Sequence, residues 1–289
     1  MRGAVSRFAN GKAQPLANFA AHLADNRVQH SAVRATKNGA CFESGGRMLR
    51  FLVEPIVAAL PAFILLILIM IAKSRRDVGA AALLFALYLV DALCLQISHW
   101  LPQTAVAGTH WNWSGKIASA LFALGALSVL PQTAFNQVGL FRWPEPSAWL
   151  RILVILAFIV GFAVARGQLG HEPFSLETLA FQATMPGLAE ETAYRGVWWI
   201  VLALALDRPA IDNGTTPWST LIVISLLFAS VHSISLSESG AVLIDAPAAA
   251  ATALAATLYG LLQSTGRALW LTILAHNLSN VILFVLQTT

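Results

Sequence analysis

Residues 189–196 read Ala-Glu-Glu-Thr-Ala-Tyr-Arg-Gly and place three charged side chains inside an otherwise apolar stretch. A charge at membrane depth costs about 2.5–3.5 kcal/mol on insertion scales, so such a cluster indicates a functional role. Glu191 and Arg195 are four residues apart, one helical turn, and can pair on one helix face. Glu190 lies about 100° around the helix from Glu191. The sequence therefore predicts an ion pair beside a carboxylate that faces a different partner.

The composition places this cluster in an integral membrane protein. The chain has 289 residues, of which 57% are hydrophobic and only 11% charged, whereas soluble domains carry about 25% charged residues. The formal net charge of +4 comes from residues 1–47, which hold seven of the 18 basic residues and two of the 14 acidic ones. The rest of the chain has no basic patch suited to phosphate backbones, so we expect no nucleic-acid partner.

Three regions follow from the distribution of polar and apolar residues. Residues 1–47 are polar, basic and without sustained apolar periodicity, which is typical of a disordered tail. In a second interpretation translation begins at Met48, immediately before the first hydrophobic segment, and the tail is not made. Residues 48–170 are predicted to form amino-terminal transmembrane helices, and residues 171–289 form the transmembrane core that carries the polar cluster.

Apolar segments long enough for the hydrocarbon core predict an all-α, polytopic bundle of about eight transmembrane helices. The predicted spans cover about residues 51–72, 78–97, 116–130, 149–164, 175–206, 220–235, 248–263 and 268–286. The fifth is too long for one simple span, and Pro186 and Gly187 are expected to kink or break it just before Glu190. We expect a multi-pass protein of the cell (inner) membrane.

Two further polar pairs occur at helical spacing in the same half of the chain. Phe228 and His232 form F-x-x-x-H near the end of the sixth predicted span, and His276 and Asn280 form H-x-x-x-N within the eighth. A separation of four residues puts His276 and Asn280 on one helix face, so both can address one point between helices. Each pattern alone is a weak signal, because a lone histidine on an apolar helix is more often a satisfied core residue.

The ordered set E-E-x-x-x-R, F-x-x-x-H and H-x-x-x-N resembles the CAAX-protease and bacteriocin-processing (CPBP) family of intramembrane proteases, also called the Abi family or type II CAAX prenyl endopeptidases. Further likeness appears at residues 185–191 and 265–270, and the resemblance covers about residues 177–286. It implies that residues 171–289 are a catalytic core. It also implies a hydrolase of a membrane-associated protein or peptide in the lipid bilayer, in CAAX-type processing, bacteriocin maturation or immunity.

The chemistry of peptide hydrolysis gives each of these residues a role. Hydrolysis needs a water next to a base, and hydrogen-bond donors aimed at the oxygen that becomes negative. We expect Glu190 to be the base and His232 to share its water. His276 and Asn280 are expected to be the oxyanion donors. The residues expected to support the site structurally are Glu191, Arg195 and Phe228.

The sequence leaves the participation of a metal open. Glu190, His232 and His276 would suffice as ligands of a catalytic zinc with one open position. H-E-x-x-H is absent from the chain, and Asn280 would be an uncommon zinc ligand. We therefore prefer a glutamate-and-histidine mechanism that requires no cofactor, with Zn²⁺ and a metalloendopeptidase mechanism as the alternative.

Three other interpretations of a buried polar cluster compete with a protease. Polar residues can form a network that specifies helix packing. They can build the proton relay of a transporter, although a transporter is expected to show internal repeats with matching broken helices and the sequence shows none. A protein of the same fold can also bind a partner, for example in immunity, without cleaving it. The two adjacent carboxylates and two histidines in this order favour the protease.

Overall fold

The computed structural model describes residues 44–73, 77–99, 111–130, 138–237 and 239–288. Most of the predicted tail, residues 1–43, lies outside the described residues. The first helix begins at Ser44, four residues before Met48. Whether translation begins at Met1 or at Met48 stays a prediction.

About four-fifths of the described chain is helical. The helices are α1 (Ser44–Ala72), α2 (Val78–Gln96), α3 (Trp113–Val129), α4 (Trp149–Gly167), α5 (Leu176–Pro186), α6 (Trp199–Leu206), α7 (Arg208–Asp212), α8 (Trp218–Ser233), α9 (Ala246–Gly266) and α10 (Leu269–Gln287). Between α5 and α6 the chain forms a π-helix, Gly187–Trp198, called the π-segment below. Short 3-10 turns occupy Ile97–His99 and Pro146–Ala148. The predicted all-α membrane bundle is confirmed.

A small antiparallel hairpin is the element that the sequence analysis missed. Strand β1 (Ile234–Leu236) pairs with β2 (Val242–Ile244), with Ile234 opposite Ile244. Ile234 and Leu236, which alternate with serines after His232, continue the apolar pattern of the sixth predicted span, so the sequence predicts a helix to about residue 235. The helix ends instead at Ser233, and the chain turns into an extended strand next to the histidine.

Four helices among the described residues are long and apolar enough to cross a membrane: Leu52–Ala72, Val78–Gln96, Pro146–Gly167 and Leu269–Gln287. Helices α3 and α8 are apolar but shorter. On α1 a row of large apolar side chains faces outward, as lipid contact requires: Ile64, Ile67, Leu68 and Ile71. The count of about eight spans is not confirmed and stays a prediction beyond these four.

The π-segment lies at the centre of the fold. Ten of its twelve residues are buried, and it packs against α3, α5 and α10. Apolar side chains enclose it, among them Tyr88 from α2, Leu127 from α3 and Leu269 from α10. Its charged residues therefore lie inside the helix bundle, where each needs a partner.

The predicted break at Pro186–Gly187 is a change of helix type and not an interruption of the chain. Gly187 keeps helical dihedral angles, φ −62° and ψ −41°, while the hydrogen bonding changes from α to π. Asn277 of α10 holds the junction, because its Oδ1 accepts from the Gly187 N–H at 2.7 Å and its Nδ2 donates to the Thr184 carbonyl at 3.1 Å. An amide side chain thus satisfies both a backbone donor and a backbone acceptor where the helix type changes.

Gly187→Ala is expected to destabilise the fold by roughly 1–3 kcal/mol, the usual cost of overpacking. A Cβ at this position would lie 2.5 Å from the Ile273 carbonyl and 2.6 Å from Asn277 Oδ1. The measurement is the thermal unfolding midpoint of the purified protein in detergent. Gly125→Ala is the matched control, because its Cβ meets nothing within 4 Å and alanine is the better helix former. Equal midpoints for the two variants would contradict the prediction.

Asp207, the residue that follows α6, connects this end of α6 to α1 and α8. One of its oxygens accepts from Lys73 Nζ at 2.6 Å, at the end of α1. The other accepts from the backbone N–H and the hydroxyl of Thr220, at 2.8 and 3.0 Å, in the first turn of α8. Burial alone would raise the pKa of Asp207, but the hydrogen bonds from Lys73 and Thr220 outweigh it and hold the pKa below its ordinary value.

This carboxylate predicts a loss of stability in acid. Because the folded pKa of Asp207 is below the unfolded value of about 4, its contribution is present above that value and is lost as the pH falls through the folded pKa. Asp207→Asn should therefore lower the unfolding midpoint at pH 7 and flatten its decline between neutral and acidic pH. Glu145→Gln, on an exposed ion pair with Arg142, is the control. Parallel curves for wild type and Asp207→Asn would contradict the assignment.

Candidate active site

The structure brings three of the predicted site residues together. Glu190 comes from the π-segment, His232 from the last turn of α8 and His276 from α10. Glu190 Oε2 lies 3.8 Å from His232 Nε2 and 3.9 Å from His276 Nε2. These distances are too long for direct hydrogen bonds and suit a water that bridges the carboxylate and either imidazole.

The hydrogen bonds of the two histidines fix which ring nitrogen faces Glu190. His232 Nδ1 bonds to the Phe228 carbonyl at 2.7 Å, and His276 Nδ1 bonds to Glu191 Oε1 at 2.7 Å. A carbonyl and a carboxylate only accept, so both Nδ1 atoms donate. In the neutral rings, therefore, both Nε2 atoms present a lone pair toward the Glu190 carboxylate.

Aromatic side chains hold the two imidazole planes. Phe228 stacks on His232 with ring centroids 4.3 Å apart, and Tyr259 stacks on His276 at 4.8 Å. Phe228 thus contacts His232 twice, through its carbonyl and through its ring. The structural support expected of Phe228 stays a prediction, and these are the contacts through which it would act.

The Glu191–Arg195 ion pair predicted from the spacing is present. Arg195 Nη1 donates to Glu191 Oε1 at 3.1 Å, and both side chains are fully buried. Arg195 also donates to the Ala256 carbonyl at 2.8 Å and lies over the Phe228 ring, 4.9 Å from its centroid. Because Glu191 Oε1 also accepts from His276, the ion pair helps to orient one of the two imidazoles.

The position of Asn280 in the structure supports no specific role. It lies one helical turn beyond His276 on α10 and is half-buried, but no hydrogen bond joins its side chain to another described residue. The amide with an observed role is Asn277, which holds the junction of α5 and the π-segment. The expectation that Asn280 donates to an oxyanion stays a prediction.

Lys116 is a site residue that the sequence analysis missed. It lies on α3, and its Nζ donates to Glu190 Oε1 at 2.5 Å, with the two side chains only 16% and 13% exposed. One turn further along α3, Ser119 donates to Asp91 of α2 at 2.5 Å. A signal was available, because an ionisable side chain within an apolar helix marks a functional site by default. The amino-terminal helices therefore contribute directly to the site around Glu190.

A cavity opens beside these residues, between α1, α2, α3, α8 and the π-segment. Its volume is about 480 Å³, within the range of roughly 300–1,000 Å³ typical of ligand pockets. The polar side chains that line it include Glu54, Tyr88, Asp91, Lys116, Glu190 and His232. The cavity thus gives a ligand access to the carboxylate and to one of the two imidazoles.

The three predicted metal ligands do not fit a zinc site as they are arranged. Among the described residues, no group of three or more His, Cys, Asp and Glu side chains is positioned to hold a metal ion. Ligands about 2.0–2.2 Å from a tetrahedral zinc lie roughly 3.4 Å from one another, closer than the 3.8 and 3.9 Å that separate Glu190 from the imidazoles. The Lys116 ammonium on Glu190 would also repel a cation. Whether the protein requires a cofactor stays a prediction.

Fold and site together define a helical membrane protein with a carboxylate and two imidazoles converging beside a cavity between its helices. Residues 172–282 match the family model described as Rce1-like, type II CAAX prenyl endopeptidase Rce1-like. The match confirms the family predicted from the motifs, all of which lie inside it, and points to an intramembrane endopeptidase. Comparison with curated proteins and with solved structures gave no match.

Proposed function

We propose that this protein is an intramembrane endopeptidase that hydrolyses a peptide bond with a water activated by Glu190. The observation that carries the proposal is the convergence of His232 Nε2 and His276 Nε2 on Glu190 Oε2, at 3.8 and 3.9 Å. Three acceptor atoms around one point call for a hydrogen-bond donor between them. A water can donate one proton to the carboxylate and the other to an imidazole while its own lone pair faces the substrate.

Proton movements follow from this arrangement. Glu190 takes a proton from the water as its oxygen attacks the carbonyl carbon, and later passes that proton to the leaving amine. A carboxylic acid and an amine are the products, and they ionise to a carboxylate and an ammonium. The proposal needs no metal ion, because Glu190 supplies the base and an imidazole accepts the second hydrogen bond of the water.

The roles of His276 and Asn280 separate at this point. A neutral His276 that donates from Nδ1 to Glu191 has no proton on Nε2, so it cannot donate to an oxyanion there. We therefore assign His276, as an alternative to His232, to accepting the second hydrogen bond of the water. Asn280 is retained as a proposed oxyanion donor that acts once a substrate is bound.

The proposed substrate is a membrane-associated protein or peptide that enters the cavity from the bilayer. The description of the matching family names CAAX prenyl endopeptidases, which favours a prenylated carboxyl-terminal segment. A leader-bearing peptide, as in bacteriocin maturation, is the second candidate carried by the motifs. Each class predicts a different cleavage position, close to the carboxyl terminus for the first and after an amino-terminal leader for the second.

The proposal is tested by mapping new protein termini with mass spectrometry in host membranes. The membranes contain wild type, Glu190→Gln or the control Glu145→Gln, each expressed at the same level through an epitope tag. Glu145 lies on the surface in an ion pair with Arg142, so its change controls for the loss of one carboxylate. Termini seen with wild type and Glu145→Gln but not with Glu190→Gln are expected, and their positions identify the substrate class. The same termini in all three samples would contradict the proposal.

A further inference from the structure

The Lys116 ammonium can form further hydrogen bonds besides the one to Glu190. We propose that its ammonium is a further catalytic group of the proposed endopeptidase, which stabilises the negative oxygen of the tetrahedral intermediate. This inference rests on the proposed function. It assigns to α3, outside residues 172–282, a residue that contacts the reacting atoms.

The first argument is the number of hydrogen-bond donors. A lysine ammonium has three N–H donors. Among the described residues, the Lys116 ammonium donates to one acceptor, Glu190 Oε1. Lys116 lines the 480 Å³ cavity. The remaining N–H groups are therefore available to an acceptor that enters the cavity, and a peptide carbonyl oxygen is such an acceptor.

The second argument is charge. Among the described residues that line the cavity, Lys116 is the only lysine or arginine. Arg195 is fully buried away from the cavity, against Glu191 and the Ala256 carbonyl. Catalytic sites stabilise a developing oxyanion with fixed donors or positive charge, which act strongly where water is excluded. Lys116 supplies such a positive charge inside the cavity.

The third argument is that the two oxygens of the Glu190 carboxylate have different partners. Its Oε1 binds Lys116 at 2.5 Å, while its Oε2 faces His232 and His276. The two oxygens of a tetrahedral intermediate, one from water and one from the carbonyl, are separated by about the same distance as the two oxygens of a carboxylate. An intermediate standing alongside Glu190 would therefore place its water-derived oxygen at Oε2 and its carbonyl-derived oxygen beside Lys116.

The reaction balances without any further reactant. A bond forms between the water oxygen and the carbonyl carbon, the carbonyl electron pair moves to its oxygen, and the water proton moves to Glu190. That negative oxygen accepts a hydrogen bond from Lys116, which keeps all its protons. The carbonyl then re-forms as the carbon–nitrogen bond breaks, and the proton on Glu190 moves to the leaving nitrogen.

The test measures turnover and binding of a transition-state mimic in the same preparations. The substrate is a quenched-fluorescent peptide that spans the cleavage site found by terminus mapping, and the mimic is its phosphonamidate analogue, which carries a tetrahedral anion at the scissile bond. The purified full-length variants are Lys116→Met, Lys116→Arg, Glu190→Gln and the control Ser128→Ala. Ser128 lies on the same helix, is exposed and bonds only within its own turn.

For Lys116→Met we expect kcat to fall by about 10²–10³-fold, the usual effect of losing one oxyanion donor, with KM nearly unchanged. Affinity for the phosphonamidate should fall by a similar factor, because the lost contact belongs to the transition state. Lys116→Arg should retain part of the activity, and Ser128→Ala all of it. A wild-type kcat in Lys116→Met overturns the inference. A lowered kcat with unchanged phosphonamidate affinity also overturns it, and leaves Lys116 as a residue that only positions Glu190.

Two further outcomes keep the test decisive. If Lys116→Met does not fold, Lys116→Cys treated with bromoethylamine restores an ammonium at nearly the same place, with treated wild type as the control. Recovery of kcat supports the inference, and a folded, modified enzyme without recovery overturns it. If Glu190→Gln cleaves as wild type does, or if no cleavage site is found, the proposed function itself fails, which is distinct from an active enzyme that ignores Lys116.

Discussion

Glu190→Gln is expected to lower kcat by about 10²–10⁴-fold, the range that a general base contributes, while the protein stays folded. Glutamine has nearly the same shape and keeps a carbonyl oxygen that can accept from Lys116, which bonds to Glu190 Oε1 at 2.5 Å. It cannot take a proton from the water between the two imidazoles. The loss should therefore appear in turnover and not in yield.

The measurement is cleavage of the quenched-fluorescent peptide, with the unfolding midpoint recorded on the same sample. Glu145→Gln controls for the substitution itself, since Glu145 is exposed on the surface. Full activity in Glu190→Gln would remove the base from the mechanism. Inactivity accompanied by a large drop in the midpoint would assign Glu190 to folding instead.

Arg195→Met is expected to have the largest effect on stability, about 3–5 kcal/mol, which is the usual cost of breaking a buried ion pair from one side. Both Arg195 and Glu191 are fully buried. Removal of the guanidinium leaves the Glu191 carboxylate without its cation, the Ala256 carbonyl without its donor and the Phe228 ring without the charge above it. We expect a low yield and an early unfolding midpoint, read by size-exclusion chromatography and thermal unfolding in detergent.

A double variant distinguishes lost charge balance from lost volume. In Glu191→Gln/Arg195→Met the uncompensated carboxylate is gone, so part of the stability lost in Arg195→Met should return. His276 keeps an acceptor in the glutamine oxygen, which replaces its bond to Glu191 Oε1. No recovery in the double variant would show that packing around Arg195, and not its charge, dominates.

Local spacing was enough to predict the residues that pair along one helix and to select the histidines. Glu191 and Arg195 are four positions apart, and the structure pairs them. The motif order led to His232 and His276, and both converge on Glu190. The pairing and the convergence have a physical reason, because charged and imidazole groups have few ways to be satisfied inside an apolar bundle. The catalytic roles of these residues stay predictions.

Contacts between distant segments could not be read in this way. Lys116 and Glu190 are 74 positions apart, and no periodicity shows that α3 packs against the π-segment. The π-helix was not predicted either, because the sequence interpretation applied the α-helical period across Pro186 and Gly187. Asn277 lies on α10 between the two predicted site residues, and its role became visible only through its bonds to Gly187 and the Thr184 carbonyl.

The salt bridge between Lys116 and Glu190 extends the site beyond the segment that matches the family model. A gene fusion that joined residues 172–282 to foreign amino-terminal helices would contain Glu190 and both imidazoles, but it would lack Lys116. We therefore expect a functional chimera to need a cation at the α3 position as well as the matched segment. Chimeras that exchange the two halves would report this constraint directly, because a matched lysine would be needed on the incoming half.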